Sequence, residues 1–129
     1  MAQPNIVSVA SIYGQSVGAT LTTGLVDFIT VTAEYVVKVN YIHVANIDGT
    51  NAATCTVKVT KVDQDPIGIT DYAINDVIHL AKTVNVPAND ILVVTDSPFY
   101  MMAGDALSAL ASANSDLDIF ISFEAIIDA

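Results

Sequence analysis

Hydrophobic and polar residues alternate along several stretches of the chain, which is the pattern of a β-strand with one buried face. In residues 53–62 the alternate positions from Cys55 to Val59 are apolar, and threonines and a lysine occupy the positions between them. Residues 117–127 alternate in the same way, with Phe120 as a large apolar side chain on the polar face. Both stretches therefore predict half-buried strands.

A hairpin is predicted for residues 34–62, in which a long first strand turns back into the alternating second strand. The turn is placed at Asp48 and Gly49, because glycine adopts a positive φ without steric cost and aspartate tolerates it.

The long first strand of this hairpin changes phase along its length. Val37 and Val39 share one face, whereas Ile42 and Val44 share the other. Either both faces of the strand are partly buried, or a bulge near Asn40 shifts the alternation by one residue.

Glycine, proline and asparagine mark the ends of further short strands elsewhere in the chain. Strands are predicted in residues 5–14 and 18–33 with Gly14, Gly18 and Gly24 as breaks, and in 72–80, where a short helix is the alternative. A further strand is predicted from residue 82 to a turn at 87–90, and another follows in 91–94.

Residues 103–114, AGDALSALASAN, have the composition of a helix, which Asp105 could cap. As a helix the segment would present too narrow an apolar stripe to bury much surface. As a strand it would place Leu107 and two alanines on one face, between turn residues at both ends. Because sheet context overrides propensity, we predict a strand at 106–113 that forms a terminal hairpin with 117–127.

Eight or nine short strands without a long periodic helix predict an all-β fold, an antiparallel β-sandwich of the jelly-roll kind. The 129 residues contain no linker or repeat and are the size of one domain. We therefore expect a single domain spanning 1–129, with residues 1–14 as a candidate N-terminal docking segment.

The charge of the chain argues against two classes of partner. The chain has four lysines, no arginine and fourteen acidic residues, which gives a net charge of −10. Binding to a phosphate backbone or an anionic membrane surface requires basic side chains, so we expect neither nucleic acid nor membrane as a partner. No apolar run reaches the roughly 18 residues of a membrane helix, and the N-terminus carries no leader pattern.

No catalytic or cofactor motif appears in the sequence. The single Cys55 and the two histidines, His43 and His79, are expected to be structural or exposed residues rather than nucleophile or ligands. The acidic loops offer too few oxygen ligands for a calcium loop of the EF-hand kind; their residues are Asp63, Asp65, Asp116 and Asp118. We expect no enzyme activity, no cofactor and no metal.

Residues 97–102, SPFYMM, place four large apolar side chains in a row, of which alternation can bury only two on one face. The others must meet a second layer, a neighbouring subunit or solvent, and aromatic residues and methionine are enriched at interfaces. The apolar residues Ile6, Val7 and Tyr13 near the N-terminus must likewise meet a second layer, a neighbouring subunit or solvent. The candidate assembly interface consists of Ile6, Val7, Tyr13, Phe99, Tyr100, Met101 and Met102.

Residues 40–128 also follow a pattern of turns and strand edges known from one protein class. The matching positions are Asp48, Gly49, Asn51, Val86, Pro87, Ala88, Gly104, Asp105, Leu107, Ala109, Ala111, Ser112, Leu117, Asp118, Ile121, Ser122 and Glu124. This pattern resembles small β-sandwich structural proteins of tailed bacteriophage virions. It contains no catalytic residue.

The resemblance implies a virion protein that is assembled in the host cytoplasm and has no enzymatic activity. A capsid decoration (cement) protein is the first expectation, as a homo-oligomer, with a trimer favoured, bound to the major capsid protein. A neck, collar, tail or fibre accessory protein is the alternative. A carbohydrate-binding jelly roll is a further alternative, although the chain has no tryptophan and its five tyrosines are dispersed.

Overall fold

Nine β-strands and no helix make up the part of the chain that the computed structural model describes, residues 9–62 and 77–128. The strands are β1 (Val9–Thr20), β2 (Val26–Thr30), β3 (Tyr35–Asn46), β4 (Ala53–Thr60), β5 (Val77–Val86), β6 (Ile91–Thr95), β7 (Phe99–Met101), β8 (Ala106–Ala111) and β9 (Leu117–Asp128). In these residues no helix is long and apolar enough to cross a membrane.

The strands form two antiparallel sheets that pack face to face. The five-stranded sheet has the order β1-β9-β3-β6, with the short β7 beside β6 on the same edge of β3. The four-stranded sheet has the order β2-β8-β4-β5. This is a β-sandwich with the strand order of a jelly roll, so the predicted fold class is confirmed.

The predicted alternation places the core between the two sheets. Along β4, Cys55, Val57 and Val59 are buried and the residues between them are partly exposed. Along β9, Ile119 and Ile121 are fully buried against them in the same core.

A bulge at Asn40 explains the change of phase along β3. Val39 pairs with Phe123 and Tyr41 with Ser122, so Asn40 is the extra residue in the ladder between β3 and β9. Because of this extra residue, Val39 and Ile42 both face the core and are completely buried.

Residues 106–111 form a strand, as predicted, despite their helical composition. The strand β8 lies in the middle of the four-stranded sheet, between β2 and β4. Leu107, Ala109 and Ala111 face the core and are buried, while Ser108 on the other face donates a hydrogen bond of 2.5 Å to Asp27 of β2. Two flanking ladders and a buried face outweigh the helix propensity of alanine and leucine.

Both predicted hairpins are wrong. The strand β3 belongs to the five-stranded sheet and β4 to the four-stranded sheet, so the connection at Asp48 and Gly49 crosses from one sheet to the other. Likewise β8 and β9 lie in different sheets and do not pair. Alternation identifies the buried face of a strand, but two strands in opposite sheets bury their faces in the same core and alternate alike.

The connection after β3 is held by side chains rather than by a hairpin turn. The Nδ2 group of buried Asn46 donates to the carbonyls of Asn51 and Val86, and its Oδ1 accepts from the N–H of Asp48. Gly49 does not use a positive φ, and Gly104 is the glycine of the described residues that does.

Two strand boundaries also differ from the prediction. Gly14 and Gly18 lie inside the continuous strand β1 and do not separate strands. The strand predicted at 72–80 is found as β5 at Val77–Val86, and the first part of that prediction lies outside the described residues. Residues 9–14 of the candidate docking segment belong to β1, and residues 1–8 lie outside the described residues.

Candidate functional site

The outer face of the five-stranded sheet, the side turned away from the core, carries several exposed apolar side chains. The bulge at Asn40 turns Tyr41, His43 and Ala45 outward, and the ladders extend this face across the sheet. Phe120 lies opposite His43, which in turn lies opposite Val93. The exposed large apolar side chains of this outer face are Ile12, Ile91, Val93, Tyr100 and Phe120, at 39% to 60% exposure.

The outer side of the four-stranded sheet differs in its chemistry. Along its central strand β4 the outward positions are three threonines and Lys58. On the neighbouring strand the outward Ser108 is bonded to Asp27. The two sides of the sandwich therefore differ, and the apolar side chains of the outer face form a candidate contact surface.

The charged groups on the outer face are held by their neighbours. Glu124 accepts a hydrogen bond of 3.1 Å from Asn40 Nδ2 and lies 3.8 Å from the ammonium group of Lys38. Asp118 accepts a hydrogen bond of 2.7 Å from the Thr20 hydroxyl. Glu124 therefore has a cation beside it, whereas Asp118 is held by a neutral donor and keeps its negative charge.

A depression of about 370 Å³ lies on the outer face at the end of β1. Its walls include Gly18, Thr20, His43, Asp118 and Phe120. A Cβ atom at Gly18 would lie 3.7 Å from Phe120 Cδ1, so the missing side chain leaves the wall of the depression open.

Two aromatic contacts hold the imidazole of His43 in this depression. The ring lies 5.4 Å from that of Tyr41, edge to face, and 5.7 Å from that of Phe120. The buried Nδ1 atom of His43 has no hydrogen-bond partner among the described residues. The depression thus combines ring surfaces with the hydroxyl of Thr20 and the carboxylate of Asp118, which suits an apolar side chain or the flat face of a sugar.

A second depression, of about 250 Å³, opens between the two sheets on the side of β1 and β2. Gln15 of β1, Phe28 of β2 and Tyr35 of β3 line it. Because the short β2 leaves this side open, Tyr13 is half exposed although it lies on the core side of β1.

The candidate assembly residues are found in different environments. Met101 is completely buried, and Phe99 is partly buried and packs against the core. Neither side chain is free to form a contact surface in the folded chain, because both face inward along β3. Tyr100 points to the outer face and is 53% exposed.

The remaining candidates divide in a similar way. Met102 is partly buried in the connection after β7, and Tyr13 is exposed at the open side of the sandwich. Ile6 and Val7 lie outside the described residues. The five candidates that the structure describes therefore do not share one surface.

Sequence reasoning missed Ile12, Ile91 and Val93 of the outer face. A signal for two of them was present, because residues 91–94 form a run of four apolar side chains of which a strand can bury only two on one face. The outward direction of Phe120 was recognised from the alternation.

The potentially reactive side chains lie in positions that do not favour chemical reactivity. Burial raises the pKa of the Cys55 thiol to about 11, so the nucleophilic thiolate is scarce at neutral pH. His79 is exposed on the edge strand β5. Within residues 9–62 and 77–128, no three His, Cys, Asp or Glu side chains gather as a metal site would require.

Comparison with known proteins gives a likeness of fold only. No protein-family model matches the chain, and no curated protein matches it in sequence. Among solved structures it is similar to a protein of Bacillus endospore appendages, described as a novel family of disulfide-linked pili. The alignment covers 92% of this chain and 88% of that chain, at 12% identity and a TM-score of 0.46. Both are small β-proteins.

Proposed function

We propose that this chain is a non-enzymatic structural subunit that acts by assembling with copies of itself and with a neighbouring protein. The observation that supports this most is the outer face of the five-stranded sheet, where large apolar side chains are exposed on a regular, well-paired sheet. A monomer gains nothing from exposing them, whereas an interface of this composition would remove them from water.

The finer form of the proposal is a tailed-phage virion protein, of the capsid decoration (cement) type. It rests on the resemblance of residues 40–128 to small β-sandwich virion proteins. Such a subunit would bind the major capsid protein and stabilise the head, and a trimer is the favoured oligomer. A neck, collar or tail accessory protein would use the same surface chemistry at another place in the particle.

Mass spectrometry of virions purified from the strain or lysate that carries the gene tests this finer form. The proposal expects the chain in the particle at many copies, in a fixed ratio to the major capsid protein. Heads and tails separated before the measurement distinguish a decoration protein from an accessory protein. Particles that lack the chain would exclude both.

A carbohydrate-binding module is the second candidate, and the depression beside His43 and Phe120 is the observation that favours it. Aromatic rings next to the Asp118 carboxylate and the Thr20 hydroxyl are a chemistry that can hold a sugar ring. A glycan array with the wild-type chain and a Phe120→Ala variant tests this candidate. It requires a specific hit that the variant loses, and an array without hits rejects it.

A further inference from the structure

The strand β1 is a long and regular edge of the five-stranded sheet. Among residues 9–62 and 77–128 it pairs with β9 on one side only, in a register without interruption from Ser11 to Thr20. Its twelve residues include no charged side chain and no proline. Edges of this kind are templates for pairing with another strand unless a protein blunts them.

The other edges in the described part of the chain are blunted. The strand β2 has five residues, carries Asp27 and is interrupted by a register shift. The strand β5 has two register shifts and a positive φ at Thr83. The edge made by β6 and β7 is broken by residues 96–98, which include Pro98. Of the edges in the part of the chain that the structure describes, β1 is the one that offers a long row of backbone groups without a described partner.

The backbone groups on the free side of β1 can be identified from the ladder. The N–H of Leu21 donates to the carbonyl of Leu117 at 2.7 Å, in the same register as the pairs of β1 with β9. In an antiparallel ladder, bonded and non-bonded residues alternate, so the odd residues of β1 bond to β9. The even residues direct N–H and C=O to the free edge; they are Ile12, Gly14, Ser16, Gly18 and Thr20.

We propose that β1 pairs antiparallel with β1 of a second copy of this chain, about a two-fold axis at Gln15. This register places Ser16 opposite Gly14 of the second copy and Ile12 opposite its Gly18. The two five-stranded sheets become one continuous sheet, and the even residues of each copy bond to even residues of the other.

The outer face supplies a shape match for this register. Ile12 is 53% exposed, and six residues away on the same strand face Gly18 has no side chain and lies at the depression beside Phe120. The two-fold axis brings Ile12 of each copy to the depression of the other. Shifting the register by two residues in either direction would instead place glycine opposite glycine and leave a gap.

The other side of β1 matches as well. In the same register Tyr13 lies opposite Val17 of the second copy, and this aromatic and β-branched pair is favourable across strands. Tyr13 is half exposed in the single chain, while Val17 packs against its core. Both faces of the joined sheet therefore bury apolar surface that the single chain exposes.

The local charge at β1 permits a second copy as the occupant despite the net charge of −10. The nearest outer-face carboxylate on the neighbouring strand, Glu124, is paired with Lys38. The two copies of Glu124 would lie three strand spacings apart, about 14 Å or more, beyond the screening length of about 8 Å at physiological ionic strength. An uncharged edge thus lets two acidic chains meet.

Sedimentation velocity over a concentration series tests the pairing with variants of the edge. We expect twice the chain mass for the wild type and the mass of one chain for Ser16→Pro, because proline removes an outward N–H without breaking a bond to β9. Ser16→Ala is the matched control and should keep the dimer. Ile12→Lys should also give single chains. This variant keeps every backbone N–H of β1, so it still tests the pairing if Ser16→Pro fails to fold.

A cysteine pair tests the register. Gln15→Cys should form a covalent dimer under mild oxidation, since residue 15 faces its own copy in a non-bonded pair with Cα atoms about 4.5 Å apart, within the range that a disulfide spans. Ser16→Cys should not, and the wild-type chain with its buried Cys55 is the blank. The proposal would be overturned by a wild-type chain that stays a monomer at every concentration, or by a dimer that survives both Ser16→Pro and Ile12→Lys. The register would be overturned if Ser16→Cys formed the cross-link and Gln15→Cys did not.

The pairing is independent of the particle in which the chain is proposed to act. Virions without the chain would exclude the phage proposal and leave the β1 dimer intact. Conversely, if the chain is a monomer in solution but is abundant in virions, the β1 dimer is excluded and the phage proposal is not. Two-fold pairing requires an even number of copies, so a trimer would have to join in pairs to make six.

Discussion

Replacing Asp105 with alanine should destabilise the protein strongly, because its buried carboxylate joins separate segments of the chain. The carboxylate accepts hydrogen bonds from the Lys61 ammonium at 2.5 Å and from the Val62 and Met102 N–H groups at 3.0 Å each. Asp105 is completely buried, and the side chain of Lys61 is 24% exposed. The end of β4 is thereby fixed to the turn between β7 and β8.

The expected magnitude follows from these contacts. A hydrogen bond to a charged group contributes about 1.5–3 kcal/mol, and breaking a buried pair by removing one partner costs about 3–5 kcal/mol. Lys61 can turn to water, whereas the Val62 N–H loses the acceptor that the structure gives it. We therefore expect Asp105→Ala to lower the free energy of unfolding by about 3–5 kcal/mol, a large part of the roughly 5–15 kcal/mol of a typical domain.

Urea unfolding followed by circular dichroism measures this change, with thermal unfolding as a second readout. Asp105→Asn keeps one acceptor oxygen and should cost less than Asp105→Ala. Lys61→Met leaves both backbone bonds but also leaves the buried carboxylate without its cation, so it should cost about 3–5 kcal/mol as well. A loss below about 1 kcal/mol in Asp105→Ala would refute the reasoning, since it would mean that these three bonds do not hold the two segments together.

Three further predictions test burial, titration and backbone strain. Tyr100→Asp should remain folded, keep the β1 dimer at the opposite edge of the sheet and lose binding to purified particles in light scattering, whereas Met101→Asp should unfold because it places a carboxylate in the core. Since burial raises the folded pKa of Cys55 to about 11 from the ordinary 9.0, its contribution to stability is present below pH 9 and lost as the pH rises towards 11. That loss, about 2–3 kcal/mol, should be absent in Cys55→Ala when urea midpoints are compared across this range. Gly104→Ala should lower the free energy of unfolding in urea by about 1–2 kcal/mol or more, because φ at Gly104 is 93° and the added Cβ would lie 2.8 Å from a methyl carbon of Val62. The control Gly14→Ala adds a Cβ in open space and should change stability little.

The buried faces of the strands could be predicted from the sequence, but not the pairing of the strands. Period-two alternation identified Cys55, Val57 and Val59 as inward residues. The phase change along β3 left a bulge near Asn40 as one of two explanations, and the pairing of the strands decides for the bulge. The same alternation could not distinguish a hairpin from a connection between sheets. The sheets of a sandwich lie about 10 Å apart, a gap that the six residues between β3 and β4 can span.

The candidate interface was predictable only in part for the same reason. The run SPFYMM indicates that two of its large side chains point away from the core, but not which two. Tyr100 points away and is exposed, whereas Met101 is buried in the core. The apolar outer face and the free edge of β1 depend on which strands are neighbours. That information arises from long-range pairing, which no short window of sequence contains.

The solution mass of the wild-type chain tests the central claim of assembly most directly. Light scattering over a dilution series, with and without purified virus particles, gives that mass and any particle binding in one experiment. The account predicts a discrete even multiple of the chain mass and saturable binding to the particles. A single-chain mass at every concentration, together with no binding to any particle, would contradict it.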